Sequence, residues 1–244
     1  MALDALQRLI DIVERLRDPE RGCEWDRAQT FTTVAPYTIE EAYEVADAIE
    51  RDNLDDLKDE LGDLLFQVVL HSRIAAQLSA FDLTDVAGAI SEKMERRHPQ
   101  LFGSATERPD WETLKAAERD GAASALDGVA LALPALLRAD KLQRRAARTG
   151  FDWPDVDGPR AKIIEELEEV AQASTNDERA EEIGDLLFAV ANYARHLSVD
   201  PEAALRSANS KFERRFRAIE THPGFATLSL EAKEALWQSV KTSA

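Results

Sequence analysis

A single cysteine, Cys23, is all the thiol chemistry in the 244 residues. It excludes an intramolecular disulfide and suits a reducing compartment. Beside Trp25 it reads as a packing residue rather than a nucleophile. Glycine and proline are scarce, at ten and nine residues, and strongly alternating apolar stretches are missing; both favour helix over sheet. Basic charge is short as well. Thirty Lys and Arg against 47 Asp and Glu leave a formal charge of −17, which excludes a nucleic-acid backbone as the main partner. A small polyanion stays open, because a bound divalent cation reverses the sign locally. No apolar run is long enough for a bilayer: Gly128 to Leu137 is about half of the ~20 residues needed. Asp4, Arg8 and Asp11 interrupt the first turns, so no secretory segment is expected there. These absences lead to the expectation of a soluble cytoplasmic protein with no membrane partner.

What the sequence does have is a repeat. Gly62-Asp63-Leu64-Leu65-Phe66 returns as Gly184-Asp185-Leu186-Leu187-Phe188. Upstream, Glu40-Glu41-Ala42-Tyr43-Glu44 is matched by Glu165-Glu166-Leu167-Glu168-Glu169; downstream, Lys93-Met94-Glu95-Arg96-Arg97 is matched by Lys211-Phe212-Glu213-Arg214-Arg215. Trp25-Asp26 is echoed by Asp152-Trp153, and His98-Pro99 by His222-Pro223. The three main blocks are offset by 125, 122 and 118 residues, so the copies differ in loop length and keep their order. The expected organisation is an all-α chain of two tandem helical-bundle repeats, 1–103 and 133–244. A linker over 104–132 is expected to carry a short helical piece around Trp111.

Apolar spacing supports helices in both copies. Leu6, Leu9, Ile10, Val13 and Leu16 follow one buried stripe, and Leu57, Leu61, Leu64, Leu65 and Val68 predict another. Ile163, Leu167, Val170 and Ala171 predict the core stripe of the second acidic helix, with Glu166 and Glu169 on its flank. Thr38 with Glu41 fits a capping box opening the first acidic helix, and Asp82 can cap the helix of Lys93. Asp200-Pro201 opens the equivalent helix in the second copy. Pro99 and Pro223 are expected to end these helices.

Each copy carries two acid pairs spaced by three: Glu41 with Glu44 and Glu60 with Asp63, then Glu166 with Glu169 and Glu182 with Asp185. Residues three apart share a helix face, so an antiparallel hairpin can gather four carboxylates into one cage. Two carboxylates about 5 Å apart repel by roughly 3 kcal/mol at an effective dielectric near 20. Such a cage therefore holds protons or cations, and all-oxygen ligation favours Mg²⁺ or Mn²⁺. A di-iron site of the ferritin kind needs a histidine three residues after an acid; His71 and His196 do not stand there. A solvated acidic face is the plain alternative for any one pair. Its recurrence, with a Lys-x-x-Arg-Arg helix after each copy, points instead to phosphoryl chemistry.

At these residues the chain resembles the MazG family of all-α nucleoside triphosphate pyrophosphohydrolases. The likeness runs from Arg15-Leu16-Arg17-Asp18-Pro19 and Gly22-Cys23-Glu24-Trp25-Asp26 through Ala35-Pro36-Tyr37-Thr38 and both GDLLF blocks to Lys211-Phe212-Glu213-Arg214-Arg215-Phe216. It implies cleavage of ribo- and deoxy-triphosphates between the α and β phosphates, with broad base tolerance and a role in cleaning the nucleotide pool. It also implies a homodimer, and Mg²⁺ held by Glu166, Glu169, Glu182 and Asp185. Substrate contacts are implied at Lys162, Glu165, Glu181, Lys211, Arg214, Arg215 and Trp237. The first repeat offers Glu41, Glu44, Glu60 and Asp63, with Lys93, Arg96 and Arg97 as its basic set. One turn before Glu41, however, stands Tyr37 and not a lysine. The second repeat is therefore expected to be the principal site. Two other readings remain: a narrow-specificity relative acting on dCTP, dUTP or phosphoribosyl-ATP, and a non-catalytic helical metal buffer. A buffer has no use for Lys162, Lys211 and Arg215 beside its cage.

Overall fold

The computed structural model describes residues 2–103 and 123–242, and every regular element among them is helical. The chain divides into two compact units, Met1–Arg119 and Asp120–Ala244. The helix expected around Trp111 lies outside the described residues, and 123–134 is turns and bends. Among the described residues no helix is long and apolar enough to cross a membrane.

The first unit holds α1 (Ala2–Leu16), α2 (Glu24–Ala28), α3 (Phe31–Glu50), α4 (Leu54–Gln77), α5 (Leu83–Arg97) and a short α6 (Pro99–Phe102). The long hairpin of α3 and α4 is its frame, with α1 and α5 packed on α4. The connection turns within three residues, Asp52 taking a left-handed φ of 53° that aspartate tolerates better than most. Asn53 then caps α4 by accepting from the amides of Asp55 and Asp56. The α1 stripe behaves as its spacing predicts, with Val13 fully buried. Val13 meets Val34 of α3 and Val69, Leu70 and Ile74 of α4, and Leu9, Ile10, Phe66 and Leu83 pack around them.

Two expectations fail here. Helix α3 opens seven residues before Thr38, because Thr30 and Thr33 already form the reciprocal capping box. Thr38 sits inside the helix and bonds the ring of His71 at 2.9 Å. Pro36 is accommodated within the second turn of α3. The stripe expected on α4 is also rotated: Leu57 and Leu64 are half-buried, Leu61, Leu65 and Val68 are exposed, and the core side is Phe66, Val69, Leu70 and Ile74. Helix α4 is apolar on more than one side, so period alone did not decide which side meets α1 and α3. Asp82 does cap α5, in a box with Asp85. Pro99 follows the end of α5 and starts α6.

The second unit holds α7 (Ala135–Ala147), α8 (Asp157–Gln172), α9 (Asn176–His196), α10 (Pro201–Glu220), a 3₁₀ turn (Phe225–Thr227) and α11 (Leu230–Thr242). Helices α8 and α9 form its hairpin, α7 and α10 pack on α9, and α11 packs on α10. A box between Thr175 and Glu178 opens α9. Asp200 caps α10, with Pro201 at the first turn. The stripe expected on α8 is only half present. Ile163 and Val170 are half-buried, Leu167 and Ala171 are exposed, and the buried residues of the helix are Pro159 and an acid, Glu166. The pair expected on the flank is thus led by an inward-facing carboxylate, held there by Lys162.

Candidate active site

Glu166 is 3% exposed, and one of its oxygens accepts from Lys162 Nζ at 2.6 Å. Its Oε2 is buried without a hydrogen-bond partner. A buried carboxylate oxygen left unpaired is costly, and this one belongs to a cluster suited to a cation. One oxygen each from Glu166, Glu169 and Glu182 lie within 4.8 Å of one another. Helix α8 supplies the first two, one turn apart, and α9 brings Glu182 across the hairpin. Crowding is visible in their proton affinities. Desolvation raises Glu169 and Glu182 above the ordinary carboxylate range; Glu166 adds to both, Glu182 adds to Glu169, and Asp185 adds to Glu182. Lys162 is raised as well, held more firmly protonated by its bonds to Glu165 and Glu166. Glu181 raises Glu182 further through its charge.

The first unit builds a similar cluster from Glu41, Glu60 and Asp63, again within 4.8 Å. Desolvation raises Glu41, with Asp63 and Glu44 reinforcing it, and Gln67 opposes by donating to Glu41 Oε1 at 3.3 Å. Glu60 is raised by desolvation, then by Glu44 and Asp63. At the place of Lys162 stands Tyr37, its ring edge-on to Trp25 at 6.1 Å. The cation beside the cage is replaced by an aromatic contact.

The second cluster opens onto a cavity of about 690 Å³. Lys162, Glu166 and Asp185 line one part of it, and Gln143, Phe151, Trp153, Phe188, Asn192 and Arg195 line the rest. Its wall is braced by Arg195, which pairs with Asp152 through both terminal nitrogens and with Asn192 Oδ1. His196 Nε2 joins the same carboxylate at 3.0 Å. Donation by Arg195 holds Asp152 down at a pKa of about 2. His196 is thereby a structural partner, and His71, stacked on Phe31, is another. A second cavity of about 490 Å³ lies between α1, α4 and α5, and none of Glu41, Glu44, Glu60 or Asp63 lines it.

The basic helix is placed differently. Lys211, Arg214 and Arg215 lie on α10 and are not among the residues lining the 690 Å³ cavity. Trp237 of α11 rests on Phe212 at 5.3 Å, in an aromatic seam with Phe216 and Phe225. Lys93, Arg96 and Arg97 lie in the last turns of α5. Within one chain the structure therefore joins the acids, Lys162 and the cavity. Gln143, Phe151 and Asn192 were not foreseen. Only the Asp152-Trp153 landmark of the repeat pointed toward that wall.

The MazG nucleotide pyrophosphohydrolase domain family matches residues 29–102 and 159–219, two segments that contain the two acid quartets. A nucleoside triphosphate pyrophosphohydrolase of Escherichia coli (strain K12) is 48% identical over 257 aligned positions, covering 98% of both chains. A nucleoside triphosphate pyrophosphohydrolase/pyrophosphatase MazG of Thermotoga maritima is 46% identical, over 88% of this chain and 85% of that one. A solved structure, a mazG-related protein from Thermotoga maritima, is 29% identical with a TM-score of 0.38 and covers 47% of this chain and 97% of that one.

Proposed function

The chain belongs to the MazG nucleotide pyrophosphohydrolase family, and from that premise we propose that its second repeat cleaves nucleoside triphosphates between the α and β phosphates. The products are a nucleoside monophosphate and pyrophosphate. The enzyme is a hydrolase acting on acid anhydrides. One observation carries the choice of repeat: Glu166 belongs to the acid cluster and, with its partner Lys162 and with Asp185, also lines the cavity. A triphosphate at the cluster has space beside it for the rest of the nucleotide.

The fit to a divalent cation rests on the unpartnered Glu166 Oε2 and the three gathered carboxylates. An all-oxygen donor set of this kind suits Mg²⁺, with Mn²⁺ as a substitute. Glu166, Glu169, Glu182 and Asp185 would hold it. When bound, the cation neutralises phosphate oxygens and makes water a stronger acid. Lys162 carries three donors at the boundary between cluster and cavity and is suited to a phosphate oxygen. Lys211, Arg214 and Arg215, with Glu165, Glu181 and Trp237, complete the substrate-binding set in this reading. Exposed Ile164, Leu167, Ile183, Leu187 and Val190 give α8 and α9 an apolar surface suited to a second copy. We accordingly infer a homodimer, acting broadly on ribo- and deoxy-triphosphates in the cytoplasmic pool. In the first repeat, Tyr37 leaves a cation site without its lysine, a weaker site at most.

The test of the reaction is the product. With ATP and Mg²⁺, chromatography should show AMP and pyrophosphate as the first products. ADP and orthophosphate in their place would contradict the proposed bond.

A further inference from the structure

The acids use one part of the 690 Å³ cavity; the remainder is largely apolar but carries two amide side chains, Gln143 and Asn192, that they do not explain. Gln143 of α7 is 7% exposed and lines that cavity. Its Nε2 donates to the carbonyl of Phe188 at 2.8 Å. A carbonyl only accepts, so the orientation of the amide is settled by chemistry. The other end, Oε1, is buried and has no partner. Asn192 on the same wall accepts from Arg195 through its Oδ1 at 2.7 and 3.0 Å, which leaves its Nδ2 to donate. Phe151, 83% exposed, and Trp153, 48% exposed, also line the cavity.

The first repeat packs the corresponding positions differently. At the 122-residue offset of the GDLLF blocks, Asn192 corresponds to Leu70 and Ala189 to Gln67. Leu70 is 1% exposed in the core of its unit, and Gln67 reaches toward Glu41. At the 125-residue offset of the acids, Pro159 corresponds to Val34, which packs in the same core. Two residues that line the cavity in the second repeat, Asn192 and Pro159, thus stand where the first repeat packs Leu70 and Val34 into its core.

We propose that this cavity seats the nucleobase and that Gln143 Oε1 is the acceptor for a base N–H. The assignment rests on the second repeat being the triphosphate site. A single fixed acceptor retains a base without choosing among the natural ones. The amino groups of adenine and cytosine satisfy it, and so do the ring N–H groups of guanine, uracil and thymine. A base with no N–H leaves the buried oxygen unpaired, the kind of mismatch that a polar site rejects strongly.

The experiment compares ATP with purine riboside triphosphate, which lacks the amino group and every other base N–H. The parent enzyme should favour ATP by at least about tenfold in kcat/KM, and Gln143→Leu should bring that ratio toward one. Because Gln143 also anchors Phe188, its melting response to Mg²⁺ reports whether the fold and the acid cluster persist. Asn192→Leu imports the residue of the first repeat and serves as the second variant. Binding of AMP without metal, followed by calorimetry, should weaken by at least about tenfold in it. Equal discrimination by the parent and a folded Gln143→Leu would overturn the assignment. So would AMP binding unchanged in Asn192→Leu. A parent that cleaves no triphosphate would count against the acid site alone, since AMP binding still decides the cavity.

Discussion

Glu166 and Lys162 are the residue pair on which the site turns. A carboxylate at 3% exposure is held by one ammonium at 2.6 Å and keeps a second oxygen unpaired. In the metal-free protein, Lys162 is the cation of the cage. Lys162→Met should therefore lower metal-free stability by roughly 1–3 kcal/mol, about 2–10 °C in a chain of this size. Thermal melting should show that deficit shrinking when Mg²⁺ is added, because a divalent ion compensates Glu166 in its place. A deficit of the same size with and without Mg²⁺ would mean the lysine supports only the helix. A second pair gives a pH signature. Asp152 titrates at about 2 in the folded chain against an ordinary 3.8, chiefly because Arg195 donates to it. A depressed carboxylate stabilises fully above its unfolded value, and the contribution is lost as pH falls through the folded one. The stability gap between the parent and Asp152→Asn should be constant above pH ~4 and close between about 4 and 2, as read by denaturant titration across that range. The acid spacing was visible in the sequence because it recurs. That Glu166 points inward was not, since a buried acid looks like any other until its partner and neighbours are in place. Gln143 gave no signal at all: one glutamine in a basic helix is ordinary.

At the scale of helices, the sequence named most elements and mistook some of their faces. Asp82 and Asp200 cap where their spacing predicts, and α1 buries the expected stripe. Helix α4 was misread by rotation, because Leu61, Leu65 and Val68 are as apolar as the true core set. A period fixes that a face exists; the packing partner decides which one is used. The start of α3 was misread because Thr38 before Glu41 imitates a cap, while Thr30 with Thr33 makes one. The distinction can be measured. Thr30→Ala should cost about 1 kcal/mol in denaturant titration. Thr38→Val should lose its bond to His71 and its longer one to the Val34 carbonyl, and leave the helicity of α3 intact. A larger helical loss from Thr38→Val, followed by circular dichroism, would place the helix start where the motif suggested.

For the whole molecule, duplication has given two acid clusters with different surroundings. The second has a lysine inside and a cavity beside it; the first has Tyr37 and a packed core. The exposed apolar rows on α8 and α9 are the basis of the proposed homodimer. Leu187→Glu should shift sedimentation toward a single chain, and an unchanged sedimentation coefficient would remove that interface. The inequality of the repeats is the central claim, and matched substitutions test it most directly. Glu169→Gln and Glu44→Gln remove equivalent carboxylates, neither of them buried. The measurement is the initial rate of pyrophosphate release from ATP with Mg²⁺, on protein shown to be folded. Glu169→Gln should lose at least about a hundredfold, while Glu44→Gln should stay within about threefold of the parent. Equal losses in both, or the larger loss in Glu44→Gln, would contradict the assignment of the second repeat as the active site.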